Sequence, residues 1–256
     1  MTHRSFLALV FVALLGVPGL SAQSSPLQWK AVLVAAANND GLENWDNARV
    51  AVHDQLLLRG VRPENVMSLS AHSQFVGTTY RGSTVQKAYT YNVKFALEDL
   101  NLGTGDALIL YFTSHGAQNG GISFSLTDNF LSVAQLRTLL DSVPAEVPTV
   151  VLISACYSGQ FIQGRVAETI QAPNRIVLTA ARNDRTSFGC GAGQVMPEWD
   201  DSFVVALGQR TPRQTFQNLF AVVQQSITNK ESAWGEALYS YPQAWFGAEV
   251  RNLTLP

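Results

Sequence analysis

Residues 106–121 read DALILYFTSHGAQNGG, an apolar run that stops at Ser114-His115-Gly116. Residues 149–159, TVVLISACYSG, repeat the pattern and stop at Ala155-Cys156-Tyr157-Ser158-Gly159. Short, continuous, β-branched runs bounded by glycine fit strands buried on both faces. If the two strands are parallel neighbours, their carboxyl ends lie side by side, where ligands bind in open α/β sheets. A histidine and a cysteine then face one cleft, which is the arrangement a thiol nucleophile and its base require.

Outward from these runs, strand and helix patterns alternate. Residues 31–37 are a further continuous apolar run, bounded by Asn38-Asn39-Asp40-Gly41. Residues 45–59 carry Ala48, Ala51, Val52 and Leu56 at helical spacing and end at Gly60. A short strand is expected at 65–69, a long polar loop at 70–83 and a helix at 84–100 with Thr84 as its cap. In residues 120–130, Ile122, Phe124 and Leu126 alternate before Thr127-Asp128-Asn129, which predicts a small hairpin. Helices are expected at 132–142, 200–208 and 212–227, strands at 149–154 and 175–179, and a closing strand at 244–247. Strands alternating with helices imply βαβ units, hence an α/β fold with a mainly parallel sheet covered by helices on both faces. No repeat, low-complexity tract or linker interrupts the pattern, so one domain is expected over 28–256.

The chain has 256 residues, 46% of them hydrophobic and 14% charged, enough for one large buried core. A net charge of −2 without a basic cluster gives no electrostatic case for nucleic acid or an anionic membrane. The first 22 residues read as a signal peptide: His3 and Arg4, an apolar stretch from Phe6 to Leu15, a Pro18-Gly19 break, then Leu20-Ser21-Ala22. The apolar stretch falls short of the ~20 residues a membrane-spanning helix needs. Cleavage near Ala22 and a secreted or periplasmic location are therefore expected, with no stable membrane association. No GxSxG, Walker loop or H-E-x-x-H motif occurs, so neither a cofactor nor a metal is expected.

Several ordinary readings compete. His53 sits in a helical pattern and His72 in a polar loop, and neither position suggests chemistry. Asn47 reads equally as a helix cap, Arg49 as a solvated helix residue and Ser187 as a loop hydroxyl. The only two cysteines, Cys156 and Cys190, would ordinarily pair in an exported protein. A disulfide between them would cap the proposed nucleophile. A helix beginning after Cys156 would lower its thiol pKa through the helix N-terminus.

The strings TSHG and ISACYSG resemble the His and Cys motifs of the legumain (asparaginyl endopeptidase) family, which shares a caspase-like fold. Three further segments narrow the resemblance: WDNAR at 45–49, LTAARNDRTSFGC at 178–190 and YPQAWFG at 241–247, the last like bacterial members. Together they span nearly all of the chain after residue 28. The resemblance implies a caspase-like three-layer sandwich. It further implies that Cys156 is the nucleophile, that His115 is its base and that Asn47 supports His115. Arg49 and Ser187 would then contribute to the pocket for the residue before the scissile bond (P1). Two residues before the cysteine, legumains place a Glu, where this chain has Ser154. The second pocket acid aligns with Glu198, with Asp200 or Asp201 as alternatives. With one acid missing, Arg49 is expected to be less neutralised, which favours Asp, whereas the family pocket takes Asn, whose amide both donates and accepts.

These readings converge on an exported cysteine endopeptidase cleaving proteins or peptides after Asn or Asp. Cys156 attacks, His115 moves the proton, and the N–H groups of Gly116 and Cys156 hold the oxyanion. Ser154, Arg49, Ser187 and Glu198 receive the P1 side chain. Two alternatives are a transamidase, as in related family members, and a binding module on a silent peptidase scaffold. The sequence says nothing of the oligomeric state.

Overall fold

The structure is a computed structural model that describes residues 26–37, 43–126, 129–233 and 235–256. The expected signal peptide, the Asn38–Gly41 loop and the first two residues of the Thr127-Asp128-Asn129 turn lie outside the described residues. In chain order the first elements are β1 (Gln28–Ala35), α1 (Asn44–Leu58), β2 (Val66–Ser70), β3 (Thr79–Tyr80), β4 (Ser83–Lys87) and α2 (Thr90–Asp99). Then come β5 (Asp106–Thr113), β6 (Gly116–Ala117), β7 (Gly121–Phe124), β8 (Asn129–Leu131) and α3 (Val133–Leu140). The chain finishes through β9 (Thr149–Ser154), β10 (Arg175–Thr179), α4 (Glu198–Gly208), α5 (Phe216–Glu231) and β11 (Gln243–Phe246).

Eight strands form one sheet in the order β11-β10-β9-β5-β1-β2-β4-β3. From β10 to β4 every neighbouring pair is parallel, and only the edge strands β11 and β3 run antiparallel. β1, β5 and β9 are buried almost throughout because helices cover both faces. Ala31, Leu33, Ile109, Tyr111 and Leu152 pack on one face against Val52 and Leu56 of α1, Phe203 of α4 and Leu219 of α5. Val32, Val34, Leu110, Phe112 and Val151 pack on the other face against Val93 of α2, Leu136 of α3 and the small β6-β7-β8 sheet. The result is a three-layer α/β sandwich. No helix among the described residues is long and apolar enough to cross a membrane.

Two boundaries differ most from expectation. Residues 83–87 are a strand, not the start of a helix, and Thr84 caps nothing. Ser68 to Ser70 of β2 pair with Val85 to Lys87, and Val85 is buried. This long-range pairing outweighs a local pattern too short to discriminate. The following helix begins only at Thr90. Likewise α5 starts at Phe216, where the Thr215 side chain accepts from the Asn218 N–H, rather than at Pro212. By contrast, Ser132 and Gln135 form a reciprocal capping box that starts α3 where the cap residue predicted.

Candidate active site

The register of β5 and β9 brings the two glycine-bounded ends together. Thr113 pairs with Ser154, and the Ser114 N–H continues the ladder to the Ser154 carbonyl at 3.0 Å. Two residues beyond that pair stand His115 and Cys156. Period-two alternation sends Tyr111, Thr113 and His115, and equally Leu152, Ser154 and Cys156, toward the face covered by α1 and α4. His115 and Cys156 accordingly line one narrow cleft with Trp45, Ser154, Ser187 and Pro197. Its free space, about 10 Å³, is roughly that of one water. A larger cavity of about 400 Å³ lies where β1 begins, beside Trp29 and Arg59, with neither cysteine nor histidine in its lining.

Gly116 makes the approach of the two strand ends possible. A Cβ there would stand 2.0 Å from the Cys156 carbonyl oxygen. Trp45, from the first turn of α1, packs edge-on against the His115 imidazole, with centroids 4.9 Å apart and planes at 70°. The Cys156 sulfur accepts from the Ser187 N–H at 3.3 Å and donates to the Ser187 carbonyl at 3.5 Å. After the cysteine the chain turns sharply. Tyr157 takes the left-handed conformation at φ 57°, and its N–H donates to the Arg185 carbonyl at 2.7 Å. Beyond it, Ser158–Phe161 form a single 3-10 turn, not a helix whose N-terminus would acidify the thiol. Burial pushes the Cys156 thiol up instead, opposed by the Ser187 N–H and reinforced by nearby Cys190. Cys156 and Cys190 are not disulfide-bonded. Alkylation of Cys156 by iodoacetamide, followed on its peptide by mass spectrometry, is therefore expected to keep accelerating through pH 9. A plateau at or below neutrality would show a preformed thiolate.

Beneath His115 and Cys156 lies a buried polar layer. Asp200 of α4 is fully buried and accepts three hydroxyl protons: from Tyr111 at 2.7 Å, Thr113 at 2.8 Å and Ser154 at 2.8 Å. On α1, Arg49 is 1% exposed, not solvated, and both Nε and Nη2 lie 2.8 Å from Asp46 Oδ1. Ser70 of β2 donates to the other Asp46 oxygen at 2.7 Å. The expected under-neutralised arginine is thus corrected: Asp46, three residues earlier on the same helix, balances it. Glu198 accepts from Lys230 at 2.7 Å, and neither Glu198 nor Arg49 is among the residues lining the cleft. Asn47 donates its amide to the Val195 carbonyl at 2.9 Å, so the α1 residue described against the imidazole ring is Trp45. Sequence reasoning missed Trp45, Asp46 and the role of Asp200. Only the Asp46–Arg49 spacing of three on one helix signalled a contact in advance.

Two buried groups give the layer opposite pH signatures. Burial raises the Asp200 carboxyl to about 6, against its hydroxyl donors. Burial, helped by the Arg49 charge, lowers His53 to about 4. Between about pH 4 and 6, folded Asp200 keeps a proton that the unfolded chain has released, so its contribution to stability falls as pH rises. Over the same window unfolded His53 holds a proton that the folded state refuses, so its contribution rises with pH. The two nearly cancel. In Asp200→Asn the His53 effect is unmasked, and stability relative to wild type is expected to gain roughly 2 kcal/mol from pH 4 to 6. Urea melts across that range read it, and parallel curves for the two proteins would contradict it.

Among the described residues no group of three or more His, Cys, Asp or Glu side chains is placed to hold a metal ion. The peptidase C13 family model matches residues 73–246, a span that includes His115, Cys156 and Ser187 but begins after α1. Among solved structures the chain resembles caspase-1 from Spodoptera frugiperda. The identity is 12% and the TM-score 0.58, covering 86% of this chain and 89% of that one. That likeness shows a caspase-like fold. No curated protein is a detectable sequence relative.

Proposed function

This chain belongs to the peptidase C13 family and is a cysteine-type peptidase, and on that premise we propose an exported endopeptidase that cleaves after Asn or Asp through a Cys156–His115 dyad. The observation that carries this reading is the in-register placement of His115 and Cys156 at neighbouring parallel strand ends in one cleft.

The Cys156 thiol is held protonated by its surroundings, so His115 acts as a general base when substrate is bound. The sulfur attacks the scissile carbonyl and forms the C–S bond as His115 takes its proton. His115 then gives that proton to the departing amine, leaving a thioester on Cys156. Water, activated by the same imidazole, releases the acid product and restores the thiol. The N–H groups of Gly116 and Cys156 face the developing oxyanion, each donor worth about 3 kcal/mol in such sites. Ser154 and Ser187 line the cleft that receives the P1 side chain. The balanced Arg49–Asp46 pair behind it supports an uncharged P1 residue at least as well as an acidic one. Because the cleft is narrow, P1 entry displaces the wall formed by Ser187 and Pro197.

A peptide library digested by wild type and by Cys156→Ala, read by mass spectrometry, tests this. Bonds cut only by the wild type, after Asn or Asp, are expected. No cleavage above the variant would end the endopeptidase reading, and cleavage after Lys or Arg would end the P1 assignment. Export is read from the N-terminal sequence of the purified protein, which should begin near residue 23 and not at Met1.

A further inference from the structure

We propose that Asp200 is a specificity-determining positioning residue, which sets the hydrogen-bond polarity of the P1 cleft by holding the Ser154 proton away from it. The proposal rests on reading that cleft as the P1 site of the peptidase. A serine hydroxyl has one proton and two lone pairs, and an ionised carboxylate only accepts. The Ser154 Oγ donates to Asp200 Oδ2 at 2.8 Å, while Thr113 and Tyr111 commit their protons to the same carboxylate. Ser154 is thereby left as an acceptor in the wall of the cleft that holds Cys156.

The groups around Asp200 reinforce this arrangement. Tyr111 and Thr113 face it from β5 and Ser154 from β9, all as donors. Asp201, next on α4, is paired with Lys230 of α5 at 2.7 Å. On α1, Arg49 is bound to Asp46, so no described ion pair neutralises Asp200. A P1 carboxylate would meet the Ser154 lone pairs with a second carboxylate directly behind them. A P1 amide would donate its N–H to the same oxygen. The layer therefore selects Asn over Asp, which the Ser154 replacement of a pocket acid did not predict on its own.

The test uses two peptides identical except for Asn or Asp at P1, with kcat and KM measured at pH 7.5. Wild type is expected to favour Asn by about tenfold or more, since a buried acceptor discriminates strongly against an unmatched partner. In Asp200→Asn the new amide donates to Ser154 and turns the hydroxyl proton toward the cleft. The Asn-to-Asp ratio in kcat/KM should then fall about tenfold, chiefly through KM for the Asp peptide. Ser154→Ala removes the acceptor and should also lower the ratio, by weakening cleavage of the Asn peptide. An unaltered ratio in Ser154→Ala, or in a folded Asp200→Asn, overturns the proposal. If wild type cuts neither peptide but cuts the library after other residues, it is the P1 reading beneath the proposal that has failed.

Discussion

Cys156→Ala is expected to lower peptide hydrolysis roughly 10⁴-fold or more while leaving the fold intact, because loss of a covalent nucleophile removes the pathway and not one contribution to it. Structurally the thiol is lightly committed: it is half-buried and its sulfur touches only the Ser187 backbone among its described hydrogen-bond partners. The neighbouring hydroxyls are poor substitutes. Ser114 donates to the Ser123 carbonyl at 2.7 Å and Ser154 to Asp200 at 2.8 Å, so each is directed away from the carbonyl that Cys156 would attack. Thermal melts of the variant should overlay those of the wild type to within about 1 kcal/mol, the scale of one weak hydrogen bond. If the variant hydrolyses the same bonds at a comparable rate, the nucleophile lies elsewhere.

Gly116→Ala is the second large expected effect, and it strikes stability and activity together. The added Cβ would meet the Cys156 carbonyl oxygen at 2.0 Å, its carbon at 2.9 Å and its nitrogen at 3.1 Å. All three are backbone atoms, so no side-chain rotation relieves the clash. The ends of β5 and β9 must separate where the His115–Cys156 geometry is set. A loss of about 2–4 kcal/mol is expected, as for overpacking between rigid elements. Activity should fall roughly 10²-fold or more, because a displacement near 1 Å of reacting groups has that consequence. Gly103→Ala is the matched control, since nothing lies within 4 Å of its added Cβ. Melts and hydrolysis rates of the two variants decide. Wild-type behaviour of Gly116→Ala would mean that the strand ends do not approach as described.

The meeting of His115 and Cys156 in one cleft was legible because each strand end is announced locally. Residues 106–113, 149–154 and 175–179 are strands at the expected bounds, since burial on both faces leaves an unbroken apolar signature. Ser132 was legible as a cap because capping is a short-range hydrogen bond. β4 was not legible: it is a five-residue strand whose identity rests on pairing with β2. The pocket was the least legible part. Arg49 was read with a missing acid, when its partner, Asp46, stands on its own helix. Asp200 is one of three acids in the first turn of α4, and nothing local separates it from Glu198 and Asp201. Packing does: Lys230 takes those two, while the strands β5 and β9 send three hydroxyls to Asp200.

The sequence by itself therefore determined the α/β sandwich, the parallel core strands and the placing of a cysteine and a histidine at their neighbouring ends. Hydrophobic runs, caps and strand-terminal glycines are local properties that survive without knowledge of neighbours. Only the tertiary structure decided that Gly116 lies against the Cys156 backbone, that burial raises the thiol instead of a helix lowering it, and that Asp200 holds the Ser154 proton. Each of these depends on which distant groups share a desolvated space. Proton position and charge balance are set by those neighbours, and a linear pattern does not record them.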